Sequence, residues 1–150
     1  MWTPLHVAIY KEHRDIVLLQ LEGHANTETR NDWDETALYM ASSLGRANIV
    51  WQLISHGADP NAECEDLNMD YNDVKWTPLH VVSFNGETPI IRILLEHSAN
   101  PNAPDDLGAT ALHLASCFGK VTESYSSSMA RMWMSGTRKD GLCCTRQHTI

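Results

Sequence analysis

One tetrapeptide occurs four times along the chain, and its spacing restricts the fold more than any other feature of the sequence. Successive copies are separated by 33, 41 and 33 residues. Such a recurrence is typical of repeat proteins, in which each unit is one supersecondary structure that buries its apolar side against its neighbours. The copies are Thr3-Pro4-Leu5-His6, Thr36-Ala37-Leu38-Tyr39, Thr77-Pro78-Leu79-His80 and Thr110-Ala111-Leu112-His113.

The residues in and after each tetrapeptide predict a short helix. A threonine hydroxyl caps free amides at a helix start, and a proline in the first turn supplies a helical φ where no N–H is needed. A small residue follows in three copies, at Ala8, Ala41 and Ala115. A glycine, which adopts the left-handed conformation that ends many helices, follows in three copies at Gly45, Gly86 and Gly119.

An apolar block further on predicts a second helix in each of the first three units. Apolar residues at spacings of three and four give such a helix a buried stripe, and Thr88-Pro89 is expected to start the third unit's helix with the same cap. Segments rich in Asn, Asp, Pro and Gly then predict an extended hairpin or loop. The apolar blocks are Ile16 to Leu19, Ile49-Val50 with Leu53-Ile54, and Ile90-Ile91 with Ile93 to Leu95.

Taken in register, these units resemble ankyrin repeats over residues 2 to 119. The resemblance implies an all-α repeat solenoid, in which each unit is a β-hairpin or extended finger followed by two antiparallel helices, and the stack has a concave face. We predict a stack over residues 1–133, with units at 1–30, 31–64, 65–104 and 105–133, and a degenerate tail over residues 134–150.

The sequence departs from the family pattern at several places. Glu12 stands where the family has Gly, which predicts a less stable end of the first helix, by about 1 kcal/mol. Eight extra residues lie within residues 63–73, where a finger tip accommodates them. The fourth unit has Glu123, Ser124, Ser127 and Ser128 at positions of the second helix. A shifted stripe of Val121, Tyr125, Met129 and Met132 could form a capping helix, and whether residues 120–150 are a cap or a frayed tail stays open.

Composition and charge favour an intracellular protein that binds other proteins. The chain has 150 residues and four cysteines without paired spacing, no signal peptide at its start, and no apolar run that could span a bilayer. We therefore expect the cytosol or the nucleus, and a monomer. The chain opens inside a repeat, as a fragment of a longer protein would.

Residues 1–119 carry six basic and seventeen acidic side chains. This charge disfavours nucleic acid and membrane, and favours a partner protein with a basic or mixed apolar-basic surface.

No group of residues in the sequence predicts catalysis, a cofactor or a metal ion. His6, His80 and His113 fall one per unit, so they cannot converge on one metal, and the resemblance implies that they hydrogen-bond within and between units. The acidic loop of Asp66, Asn68, Asp70 and Asn72 begins like a calcium loop but has Tyr71 where such loops need Gly. We interpret the loop as solvated, and the four cysteines as packing or bystander residues.

The positions that carry the binding surface follow from the resemblance. They are the finger residues just before each Thr and the exposed side of each first helix, and large aromatic side chains are frequent among them, as at protein interfaces. In an alternative interpretation Trp2 and Trp76 pack between fingers, and Trp51 and Trp133 are expected in helix packing. This predicted binding surface consists of Trp2, Tyr10, Lys11, Asp32, Trp33, Glu35, Ser43, Leu44, Asp73, Trp76, Phe84, Asn85, Asp106, Leu107 and Phe118.

The sequence thus predicts a non-catalytic scaffold that binds a partner protein on its concave face through aromatic and acidic residues. Two alternatives remain at this point. The chain could be the targeting or substrate-recruiting arm of a larger enzyme or ligase complex, or a degenerate repeat fragment.

Overall fold

The structure, a computed structural model, describes residues 1–65 and 74–117, and within them helices follow each other in antiparallel pairs. Three complete pairs and the first helix of a fourth are present in this part of the chain. The pairs are α1 (Pro4–Tyr10) with α2 (Arg14–Glu22), α3 (Ala37–Ser43) with α4 (Ala47–Ser55), and α5 (Pro78–Asn85) with α6 (Thr88–Glu96), followed by α7 (Ala111–Cys117). This order confirms the predicted all-α repeat architecture.

Each first helix begins at the repeated threonine, as predicted. The Thr3 and Thr36 hydroxyls accept hydrogen bonds from the backbone N–H three residues later, at 3.4 and 3.2 Å. In the third unit the backbone N–H of Thr77 donates to Nδ1 of His80 at 3.1 Å, and the Thr77 hydroxyl lies 2.8 Å from the same nitrogen. The first turn of each helix is therefore closed by side chains of the tetrapeptide itself.

The first helices end on residues with a left-handed backbone. Gly45 has φ +70° after α3, and Gly86 has φ +81° at the end of α5. Glu12 adopts φ +58° at the matching position after α1. The left-handed conformation costs a residue with a Cβ about 1–2 kcal/mol. The Glu12 carboxylate also forms ion pairs with Arg14 at 2.9 Å and with Arg46 of the second unit at 2.7 Å.

Stacking of successive pairs forms one continuous core. Each first helix contacts the next first helix, from α1 through α3 and α5 to α7, and the second helices α2, α4 and α6 contact each other in the same order. Ile49 and Ile90 hold the same position in α4 and α6, and both are fully buried. Leu53 and Leu94 repeat this one turn later. The core is therefore built from the same register positions in successive units.

The fingers are turns and short hairpins, as predicted. In the second unit Arg30 and Thr36 form an antiparallel bridge. In the third, β1 (Cys64–Glu65) pairs antiparallel with β2 (Lys75–Trp76), with Cys64 opposite Trp76 and Glu65 opposite Lys75. The extra residues lie between these strands, so the two ends of the insertion are joined by the pairing of β1 with β2. The acidic loop of residues 66–72 falls outside the described residues.

Three expectations about the second helices were wrong in detail. Trp51 is 55% exposed, because α4 buries Ile49, Val50, Leu53 and Ile54 and position 51 lies on its other side. The cap residue of α6 is Glu87, so Thr88 is already the first helical residue and makes no cap. In α2, Ile16 and Leu19 are exposed, and the buried residues are Val17 and Leu21. The segment with Val121, Tyr125, Met129, Met132 and Trp133 lies outside the described residues.

The strain at Glu12 can be isolated with two variants, Glu12→Gly and Glu12→Ala. Both remove the ion pairs with Arg14 and Arg46, but only Gly adopts φ +58° without strain. We expect Glu12→Gly to be more stable than Glu12→Ala by about 1 kcal/mol in urea denaturation. Equal free energies of unfolding for the two variants would show that the left-handed conformation is not strained here.

Candidate protein-binding surface

Most described members of the predicted binding surface are accessible to a partner. Tyr10 is 52% exposed, Trp33 46%, Leu44 37% and Leu107 59%, so these large side chains are open to solvent. Lys11, Asp32, Asn85 and Asp106 are also exposed, and Trp2, Ser43 and Phe84 are half-buried. Asp73 and Phe118 fall outside the described residues.

Three of these aromatic rings form one cluster at the boundary of the first two units. The Trp2 ring meets the Tyr10 ring edge to face, with centroids 5.6 Å apart and an interplanar angle of 90°. It meets the Trp33 ring at 5.0 Å and 80°. The Lys11 ammonium lies over the Tyr10 ring, 5.4 Å from its centroid. The aromatic cluster of Trp2, Tyr10 and Trp33 therefore joins a finger tip to the end of α1.

A tight hydrogen-bonded turn fixes the finger that presents Trp33. The side-chain oxygen of Asn31 accepts from the backbone N–H groups of Trp33 and Glu35, both at 2.9 Å. Asp105 holds the same position two units later, and its carboxylate accepts from the N–H groups of Leu107 and Ala109 at 2.9 and 2.7 Å. The two fingers thus have the same local structure, although one displays an indole and the other a leucine.

Two residues of the predicted surface are buried, and their assignment was wrong. Glu35 is 6% exposed, and its carboxylate accepts a hydrogen bond from the Asn31 amide at 2.7 Å. Trp76 is 5% exposed, because its indole N–H donates to the Asp105 carboxylate at 3.3 Å and its ring packs on Phe84 with centroids 5.5 Å apart. For Trp76 the alternative interpretation, packing between fingers, is confirmed.

Two of the tetrapeptide histidines, His6 and His80, connect units, as the resemblance implied. Nε2 of His6 lies 3.1 Å from the backbone carbonyl oxygen of Glu35, and Nε2 of His80 lies 3.3 Å from that of Ala109. A carbonyl can only accept, so Nε2 carries the proton and donates, and Nδ1 of the neutral ring accepts from Thr3 or Thr77. Each ring thereby bridges its own helix start to the next finger.

Burial determines the protonation of these rings. It lowers the pKa of both His6 and His80. The hydrogen bond to the Glu35 carbonyl opposes this for His6, and the Asp105 carboxylate, followed by the backbone hydrogen bond to Ala109, opposes it for His80, in each case only in part. A second proton would also occupy Nδ1, which accepts a hydrogen bond in the folded chain. His6 and His80 are therefore structural groups rather than proton carriers.

Cys64 is the buried cysteine of the described part, and its environment is that of a packing residue. Its sulfur accepts a hydrogen bond from the backbone N–H of Thr36 at 3.4 Å, across the boundary between two units. Burial raises the pKa of the Cys64 thiol, so the nucleophilic thiolate is disfavoured. Over the described residues, no three His, Cys, Asp or Glu side chains come together as a metal site.

The architecture defines a class: a stack of helix pairs joined by fingers. In agreement with it, the family model for "Ankyrin repeats (3 copies)" matches the chain twice, over residues 1–64 and 63–124. The chain belongs to the ankyrin repeat family. Ankyrin repeats are in general protein–protein interaction modules and typically non-catalytic. Among the helices of residues 1–65 and 74–117, none is long and apolar enough to cross a bilayer.

Trp33 and Trp76 lie just before the repeated threonine in successive units, and substituting each of them shows which one stabilises the fold. Trp76→Ala should destabilise the protein by about 3–5 kcal/mol, because it empties a buried site and removes the indole N–H that donates to the Asp105 carboxylate. Trp33→Ala should cost about 1 kcal/mol or less, since nearly half of that side chain is in solvent. Chemical denaturation followed by circular dichroism measures both, and similar losses would refute the distinction.

The buried histidines predict a specific loss of stability in mild acid. A folded-state pKa below the ordinary value means that the unfolded chain binds more protons, so the free energy of unfolding falls as the pH decreases below about 6.5. His80→Asn, which removes one titrating ring, should be less stable at neutral pH but change less between pH about 7.5 and about 5.5. Denaturation curves at several pH values decide this, and an unchanged pH dependence would contradict it.

Proposed function

We propose that this chain is a non-catalytic binding module that holds a partner protein on its predicted binding surface. The observation that carries the proposal is the exposure of Tyr10, Trp33, Leu44 and Leu107 at those positions. Their exposure leaves apolar area that a partner would remove from water, at about 25 cal/mol per Å². Aromatic residues in such places are the usual anchors of protein interfaces.

The frame behind these side chains supports the same function. The finger of Trp33 is fixed by Asn31, and the Asn85 amide donates to the Ser43 carbonyl at 3.2 Å, which joins the ends of two first helices. A surface held in this way loses little conformational entropy on binding. The family's role in protein–protein interaction agrees with the proposal.

Charge supports a particular kind of partner. Residues 1–119 carry six basic and seventeen acidic side chains, and the exposed Asp32 and Asp106 lie at finger tips beside Trp33 and Leu107. This field steers a basic or mixed apolar-basic protein surface towards the fingers and repels nucleic acid and anionic membranes. We further propose that the module acts as a monomer in the cytosol or nucleus.

The proposal is tested by two matched triple variants. In the first variant, Tyr10, Trp33 and Leu44 are changed to Ala. In the second, the same change is made at Ile16, Leu19 and Trp51, which are also exposed but lie outside the predicted binding surface. A photo-crosslinking residue at position 11, an exposed position of the same surface that the variant leaves unchanged, identifies the partner from a cell lysate. The first variant should bind that purified partner at least ~10-fold more weakly, and the second with unchanged affinity.

Circular dichroism and thermal melting serve as controls for folding of both variants. Equal loss of affinity in the two would show that the partner does not use the predicted binding surface. Retained affinity in the first variant would refute the proposed function.

A further inference from the structure

We propose that the aromatic cluster of Trp2, Tyr10 and Trp33, together with the Asp32 carboxylate, is a subsite for a positively charged side chain of the partner, and that arginine fits it best. This inference rests on the proposed function, because it specifies the chemistry of one contact within that surface. Aromatic faces and a carboxylate together recognise a cation, whereas either alone would be much less selective.

The ring geometry makes the cluster suitable for a cation. Trp2 stands nearly perpendicular to both of its neighbours, at 90° to Tyr10 and 80° to Trp33. Edge-to-face contacts of this kind keep the neighbouring rings from stacking on one another, and both Tyr10 and Trp33 remain about half exposed. The face of an indole is the strongest aromatic site for a cation.

An ammonium group of the chain itself already lies at this place. The Lys11 ammonium is 5.4 Å from the centroid of the Tyr10 ring, within the range of a cation–π interaction. The cluster therefore accommodates positive charge.

The carboxylate and the indole belong to neighbouring residues of one fixed turn. Asp32 and Trp33 occupy the tip of the finger that Asn31 closes, and Arg30 ties that finger to the next by donating to the Glu63 carbonyl at 2.8 Å. The Asp32 side chain is 62% exposed, so a partner can reach it. Little ordering is needed before a ligand binds, which favours affinity.

Arginine matches this arrangement better than lysine. Its planar guanidinium can stack on an indole face while its N–H fork donates two hydrogen bonds to one carboxylate. A lysine ammonium can satisfy the charge but does not stack. Apolar residues that flank the arginine would suit a surface that also exposes Leu44.

The fourth finger provides an internal comparison. Asp106 and Leu107 occupy the register positions of Asp32 and Trp33, in a turn with the same hydrogen bonds, but no ring is present at its tip. In the third unit, Trp76 and Phe84 pack on each other and Trp76 is buried. Of the described fingers, that of the second unit alone combines an exposed ring with an exposed carboxylate.

The experiment uses blocked leucine-flanked peptides as probes, titrated into the full chain and followed by the NMR signals of the tryptophan indole N–H groups. The central residue is arginine, lysine, the neutral arginine isostere citrulline, or glutamate. The arginine peptide should shift the signals of Trp2 and Trp33, leave that of Trp51 unmoved, and bind about 10-fold more tightly than the citrulline peptide. The lysine peptide should be intermediate.

Three variants complete the test. Trp33→Ala and Asp32→Asn should each weaken the arginine peptide several-fold, and Asp32→Asn should also reduce the dependence on salt. Trp51→Ala is the matched control and should change nothing. Equal binding of arginine and citrulline, an equal shift at Trp51, or no shift at millimolar peptide would overturn the inference. The proposed function would survive such a result if binding of the purified partner still required Tyr10, Trp33 and Leu44.

Discussion

The contact between one helix pair and the next is the constraint on which the rest of the structure depends. A pair such as α3 and α4 cannot bury both of its apolar sides alone, and it does so only because α1, α2, α5 and α6 lie against it. The bond from His6 to the carbonyl of Glu35 and that from His80 to the carbonyl of Ala109 fix the register of this stacking. Spatial order therefore follows chain order, and no long-range closure of the chain is needed.

The stacking also separates two roles among the aromatic residues. Trp76 lies inside the joint between the third and fourth units, where Asp105 holds its indole N–H. Trp33 lies at the tip of a finger, and nearly half of its side chain is exposed to solvent. The repeat thus allows tryptophan to stabilise the packing of units at one position and to be exposed for binding at another.

The fold followed from the sequence because its determinants are local and repeat in register. Thr36, Gly45 and the spacing of Ile49 and Leu53 each specify a helix start, a helix end or a buried stripe without knowledge of distant contacts. The surface was harder to predict. The burial of Glu35 and Trp76 is decided by hydrogen bonds from Asn31 and to Asp105, and the sequence shows those residues but not their orientation. The exposure of Trp51 could have been inferred from its place opposite Ile49 and Leu53 on the helix.

The ladder between β1 and β2 has a consequence for how this chain can diversify. Because Cys64 lies opposite Trp76, the segment between the two strands starts and ends at neighbouring points, and its length does not alter the positions of α4 and α5. Closing a longer loop costs little additional entropy. The hairpin is therefore a natural point for grafting foreign sequence, and evolution or protein engineering can lengthen it without changing the pitch of the helical array.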